Sequence, residues 1–147
     1  MLFFPIKRIF IFLLFVALLS PVVSAAPVQE FVIVVHKDRQ IDSLKSNELK
    51  RMFLGKIKKW PDGETVVPVF NPRENVHSVF TRQFLHKSPA QLKTYLRKRL
   101  FSGLDMMPYS ADNNAEVMSY LRENTNAISY MEKELVVEPL RPVRVAR

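Results

Sequence analysis

Ser46–Gly63 reads S-N-E-L-K-R-M-F-L-G-K-I-K-K-W-P-D-G. Leu49, Met52 and Phe53 fall at i, i+3 and i+4, the spacing of one apolar helix face. Ser46 is a helix-capping residue type, and Glu48 follows in the first turn, where negative charge is favoured. Gly55 ends the predicted helix, because glycine takes the left-handed conformation at no steric cost. Lys56, Lys58 and Lys59 form a basic loop leading to Trp60, an aromatic anchor. Pro61-Asp62-Gly63 then predicts a tight turn, since Pro presets φ and Gly permits positive φ.

Upstream, Phe31–Val35 is an unbroken apolar, β-branched run that predicts a buried strand, and His36–Leu44 reads as a polar loop. Downstream, Thr65–Phe70 predicts a second strand, with Pro68 pointing to an edge or a bulge. Val76, Val79, Phe80 and Phe84 mark the inner side of a helix. Ser88-Pro89-Ala90-Gln91 has the chemistry of a helix start: a serine cap, proline in the first turn and glutamine three residues after the cap. That helix would turn Leu92, Tyr95, Leu96 and Leu100 inward and Lys93, Arg97, Lys98 and Arg99 outward, ending at Gly103. Leu104–Ser110 reads as irregular. Asp112 or Asn113 caps a further helix with Val117, Met118 and Leu121 on one face. Ala127–Met131 predicts a third strand. Val136–Val145 is a last strand or an extended tail interrupted by Pro139 and Pro142. This order predicts an α/β domain, helices packed on a small mixed sheet.

Lys7 and Arg8, the apolar run Ile9–Leu19 and the small residues Val23-Ser24-Ala25-Ala26 have the three-part form of a secretory signal. Residues 1–25 are therefore expected to be a signal peptide, and residues 26–147 a single domain of ordinary size. The chain has 22 Lys and Arg against 14 Asp and Glu, a net charge of +8. Without Lys7 and Arg8, 20 basic residues remain against the same 14 acidic ones. In an exported protein such a balance points to small anions, anionic lipid or cell-wall polymers. No nucleic-acid-binding motif accompanies it. There is no cysteine, hence no disulfide and no lipid attached through a cysteine.

The combination F-L-G-K-x-x-x-W-x-D-G resembles the PstS-like phosphate-binding proteins, periplasmic receptors of phosphate ABC transporters. Three further pieces fit in order. V-V-P-V-F-N-P resembles that family's strand entering the anion loop, F-T-R-Q-F-L the helix that follows, and N-T-N-A-I-S-Y-M the terminal P-G-A-I-G-Y-V strand. Asn126 and Ser129 stand at the two glycine positions of that strand. The resemblance covers about Phe31 to Glu132. It implies one lobe of a type II periplasmic binding protein, a short single-domain member located in the periplasm. It also implies a phosphate or similar oxyanion ligand and an ABC transporter or sensor partner.

In that family the anion sits on backbone N–H groups and hydroxyls at the start of the helix after the second strand. Here that stretch is Asn71-Pro72-Arg73-Glu74-Asn75-Val76-His77-Ser78, without the family's Ser-Gly-Thr. The candidate anion contacts are Arg73, Asn75, His77 and Ser78, with Asn75 also readable as a helix cap. A single lobe lacks a facing wall, which a homodimer would supply. No cysteine nucleophile, G-x-S-x-G or paired carboxylates are present, so no enzyme is expected, and no cofactor or metal. The rival expectation is a periplasmic interaction module that keeps the fold and has lost the ligand site. It would dock through Trp60, the lysine loop or Leu140–Val145.

Overall fold

The computed structural model describes residues 30–103 and 107–146, so the expected signal peptide lies outside the described residues. Six strands form one mixed sheet. They are β1 (Phe31–His36), β2 (Ser43–Lys45), β3 (Val67–Phe70), β4 (Tyr109–Ser110), β5 (Ala127–Glu132) and β6 (Leu140–Ala146). Across the sheet the order is β2-β6-β1-β5-β3-β4. β1 lies antiparallel between β5 and β6, while β3 runs parallel to both β5 and β4. The helices are α1 (Ser46–Phe53), α2 (Glu74–Phe80), α3 (Pro89–Phe101) and α4 (Asn114–Glu123).

Strand alternation divides the core into two layers. Ile33, Val35, Ile128, Tyr130 and Val143 face the larger one, with Leu49, Met52 and Phe53 of α1, Val76 and Phe80 of α2, and Leu92 and Leu96 of α3. Val34, Val69, Ala127, Met131 and Leu140 face the other, covered by Val117 and Leu121 of α4. The α/β architecture with helices on a small mixed sheet is thus as expected.

Two helix boundaries follow from local chemistry. Gly55 has φ 69°, and its N–H donates to Met52 O while the Lys56 N–H donates to Arg51 O at 2.7 Å. That paired closure needs a left-handed residue, which glycine supplies. At α3, Ser88 and Gln91 exchange the expected reciprocal bonds, Gln91 N–H to Ser88 Oγ at 3.2 Å and Ser88 N–H to Gln91 Oε1 at 2.8 Å.

Several positions differ from expectation. Lys45, not Ser46, occupies the cap position of α1, because β2 runs straight into the helix and Glu48 reaches back to the Lys45 N–H at 2.9 Å. Helix α2 continues as a wider π-turn, Thr81–Leu85. The extra residue in that turn advances the inner face by one position. Leu85 is fully buried where Phe84 was expected, and Phe84 is half-buried. Val79 and Leu100, both expected inward, are 45% and 51% exposed. α3 packs on the π-turn, and the Tyr95 hydroxyl donates to Leu54 O at 3.1 Å, but its last turn extends into solvent. Pro68 lies inside the sheet, where β4 pairs only with Val69 and Phe70 beyond it. Pro142 lies within β6, next to Val34, and β2 joins that strand only from Arg144 onward.

Trp60 is 2% exposed and belongs to the same cluster as Leu49, Met52 and Phe53. Its indole N–H donates to Asn126 O at 3.0 Å. Trp60→Ala should cost about 3–5 kcal/mol in urea unfolding, as for large aromatic truncations in a core. Gly55→Ala should cost about 1–2 kcal/mol through its left-handed φ. A Trp60→Ala loss below that of Gly55→Ala would contradict this packing.

Candidate functional site

The parallel strands β3 and β4 end side by side, and each feeds a helix: β3 leads to α2 and β4 to α4. The carboxyl ends of parallel strands are where open α/β sheets place ligands, because helix starts and their N–H groups converge there. Asn71 organises the turn after β3. It is 1% exposed, its side-chain amide donates to Tyr130 O at 3.0 Å, and its Oδ1 accepts the Arg73 N–H at 2.9 Å. This fixes Arg73 in the cap position of α2. Asn75 is therefore not the cap; it lies in the first turn, and its Oδ1 accepts the Val76 N–H at 2.9 Å. Asn113 caps α4 by accepting the Glu116 N–H at 2.9 Å.

The structure does not bring the four predicted residues to one point. Asn75 and Ser78 line an open depression with Glu74. Arg73 lines another with Pro72, Asp112, Asn113 and Asn114, between the starts of α2 and α4. His77 turns inward. Its Nδ1 lies 2.5 Å from the Tyr130 hydroxyl, and its ring stacks on Tyr130 and meets the edge of Phe70. Burial pushes the Tyr130 hydroxyl pKa up and the His77 pKa down, so His77 is neutral at pH 7.

The electrostatics of this end are mixed. Arg73 Nε lies 2.8 Å from Glu132 Oε1, at the end of β5. The Glu132 side chain is 3% exposed while that of Arg73 is 47% exposed, so a surface cation covers a buried carboxylate. The contact is ionic, since neither Glu132 oxygen has a hydrogen-bond donor among the described residues. Asn114 Oδ1 is likewise a buried acceptor without a donor among them. Glu116 bonds the Tyr109 hydroxyl, which pushes the Tyr109 pKa up to about 12 and the Glu116 pKa down. The acceptors left without a donor at this end are enclosed, while the Arg73 guanidinium is half-exposed. Among the described residues, no group of three His, Cys, Asp or Glu is placed to hold a metal ion.

Residues 27–136 match the PBP superfamily domain. The chain belongs to the PBP superfamily. Solved structures agree in fold. A Clostridium perfringens protein described as a phosphate ABC transporter substrate-binding protein, with bound phosphate, matches at TM-score 0.59 and 18% identity over 78% of this chain and 44% of that one. An ABC-type phosphate transport receptor from Vibrio cholerae matches at TM-score 0.52 and 12% identity, over 78% of this chain and 45% of that one. PstS from Borrelia burgdorferi matches at TM-score 0.57 and 12% identity, over 78% and 46%. This PBP domain therefore spans under half the length of these three structures. No curated protein matches its sequence.

The sequence reading missed Asn71 and Glu132. Asn71 follows a buried strand and precedes a proline, a turn signal. Glu132 closes an otherwise buried strand, and a charge in that place signals a partner. Ser129, at a family glycine position, uses its hydroxyl to donate to Val69 O at 2.8 Å, stitching β5 to β3.

The His77 shift has a signed consequence. Its folded pKa lies below the ordinary 6.5, so the unfolded chain takes up the proton at higher pH. This group's contribution to stability is complete above pH 6.5 and is lost as pH falls through the folded value. His77→Phe keeps the ring and removes the titration. Urea unfolding at about pH 7 and about pH 5 should show a smaller loss of stability on acidification in His77→Phe than in the native chain; an equal loss would contradict a half-buried His77 with a lowered pKa.

Proposed function

We propose that this PBP-superfamily chain is a non-catalytic, solute-binding-like module of phosphate uptake or sensing in the periplasm, contacting inorganic phosphate or a similar oxyanion through Arg73. The observation that carries the reading is the half-exposed Arg73 guanidinium between the starts of α2 and α4. An arginine fork matches oxyanion geometry, and two helix starts add partial positive charge. Asn75 and Ser78 add polar contacts on the neighbouring depression, while His77 supports the site from beneath. The Clostridium perfringens relative carries bound phosphate; for this chain the ligand is inferred.

Both Glu132 oxygens and Asn114 Oδ1 are enclosed, so a ligand at this end would meet the Arg73 guanidinium and the helix-start N–H groups rather than those acceptors. Binding should be weak. The site is open to solvent, and Glu132 already neutralises much of the Arg73 charge. The second reading, an interaction module without a working ligand site, is favoured by that same pair together with Glu74 and Asp112, which repel a dianion.

Thermal unfolding in rising phosphate or sulfate separates the two. A ligand at about ten times its Kd adds about 1.4 kcal/mol, a shift of a few degrees in Tm. Each variant is compared with its own ligand-free Tm. Arg73→Ala should abolish most of the phosphate shift, and Ser78→Ala should reduce it. Glu132→Gln, which frees the arginine, should enlarge it. Arg97→Gln, on α3, is the control and should leave it unchanged. No shift at millimolar phosphate in either the native chain or Glu132→Gln would leave the interaction-module reading in place.

A further inference from the structure

The solvent side of α3 has a composition that the site does not use. Helical spacing places Lys93, Arg97, Lys98 and Phe101 together, opposite the buried Leu92 and Leu96. Arg97 and Lys98 stand four and three residues before Phe101, so both cations flank its ring. Phe101 is 84% exposed and Leu100 beside it 51%. Lys93, Arg97 and Lys98 are all exposed, and α3 contains no carboxylate. A phenylalanine this exposed buries little surface within the fold, and the cations around it raise the local potential.

We propose that this face of α3 docks on an anionic lipid bilayer. The charge pattern selects the partner. Exposed lysine and arginine on a helix side, around a projecting aromatic, match an interface that offers phosphates at one depth and acyl chains just below. Long basic side chains reach the phosphates while Phe101 and Leu100 enter the boundary. A protein partner of ordinary affinity would need a broader apolar core than one ring and one adjoining leucine. The contact is reversible and salt-sensitive, as expected for a few cations near a charged surface. Among the described residues no helix is long and apolar enough to cross a membrane, so this is attachment at the surface.

Phe101→Trp in the full chain tests the proposal by placing an indole reporter at the contact. Trp60, the native indole, is 2% exposed and gives a constant background. Vesicles of phosphatidylcholine with phosphatidylglycerol should shift the emission of the introduced indole to the blue and allow its quenching by brominated lipid. Pure phosphatidylcholine vesicles, which also register any binding by the apolar segment Ile9–Leu19, should not. Adding Arg97→Gln and Lys98→Gln should weaken the anionic-vesicle response roughly 20–30-fold, at about five-fold per cation. Circular dichroism checks that each variant is folded. An unchanged emission with anionic vesicles, an equal shift with neutral ones or a response indifferent to the two glutamines would overturn the proposal. The same blue shift with dissolved polyglutamate would also overturn it and assign the face to an acidic protein.

Discussion

A buried arginine joins three segments that lie far apart in the chain. Arg39, 9% exposed, sits in the loop between β1 and β2. Its Nε donates to Thr125 O at 3.1 Å, its other nitrogens bond Asp62 and Asn126, and its guanidinium lies 5.1 Å from the Trp60 ring centre. Burying a guanidinium is tolerable here because it is paired on several sides at once. Arg141 of β6 holds the same loop by donating to the carbonyls of Arg39 and Ile41 at 2.6 and 2.7 Å. The entry to β5 is thereby fixed against the Trp60 turn. A strand fixed at one end has its register set throughout, since a one-residue slip would turn every side chain to the other face. In that register Phe31 pairs with Glu132, and Glu132 arrives beside Arg73.

The Arg73–Glu132 pair then governs what the site can do. Without Glu132, Arg73 would present an unpaired guanidinium at two helix starts. With it, and with Glu74 and Asp112 beside the two helix starts, carboxylates outnumber the arginine here, and the excess positive charge of the chain lies elsewhere, notably along α3. A high net charge thus says little about a given site; the placement of carboxylates around one arginine says more.

Features set by neighbouring residues were legible in the sequence. Gly55 closes α1 and Ser88 opens α3 through bonds spanning a few positions, and the apolar runs of β1 and β5 declare burial directly. The long-range features were not legible. β2 and β4 have three and two residues, too few to carry a pattern, and exist only because β6 and β3 offer ladders. Arg39 read as part of a polar loop because its partners lie 23 to 87 residues away. Of the candidate site, the position of Arg73 after β3 was legible from the chain order. The inward turn of His77 and the carboxylate facing Arg73 were not, since both depend on Tyr130 and Glu132 of a strand that joins the sheet much later in the chain.

The central claim is that an oxyanion meets this chain at Arg73, between the starts of α2 and α4. Backbone amide shifts recorded by NMR during a phosphate titration test it most directly. The account predicts saturable shifts confined to Arg73–Asn75, Ser78 and Asn113–Ala115, while Lys93 and Lys98 stay still. Shifts confined to α3, or no saturable shift at the two helix starts, would contradict it.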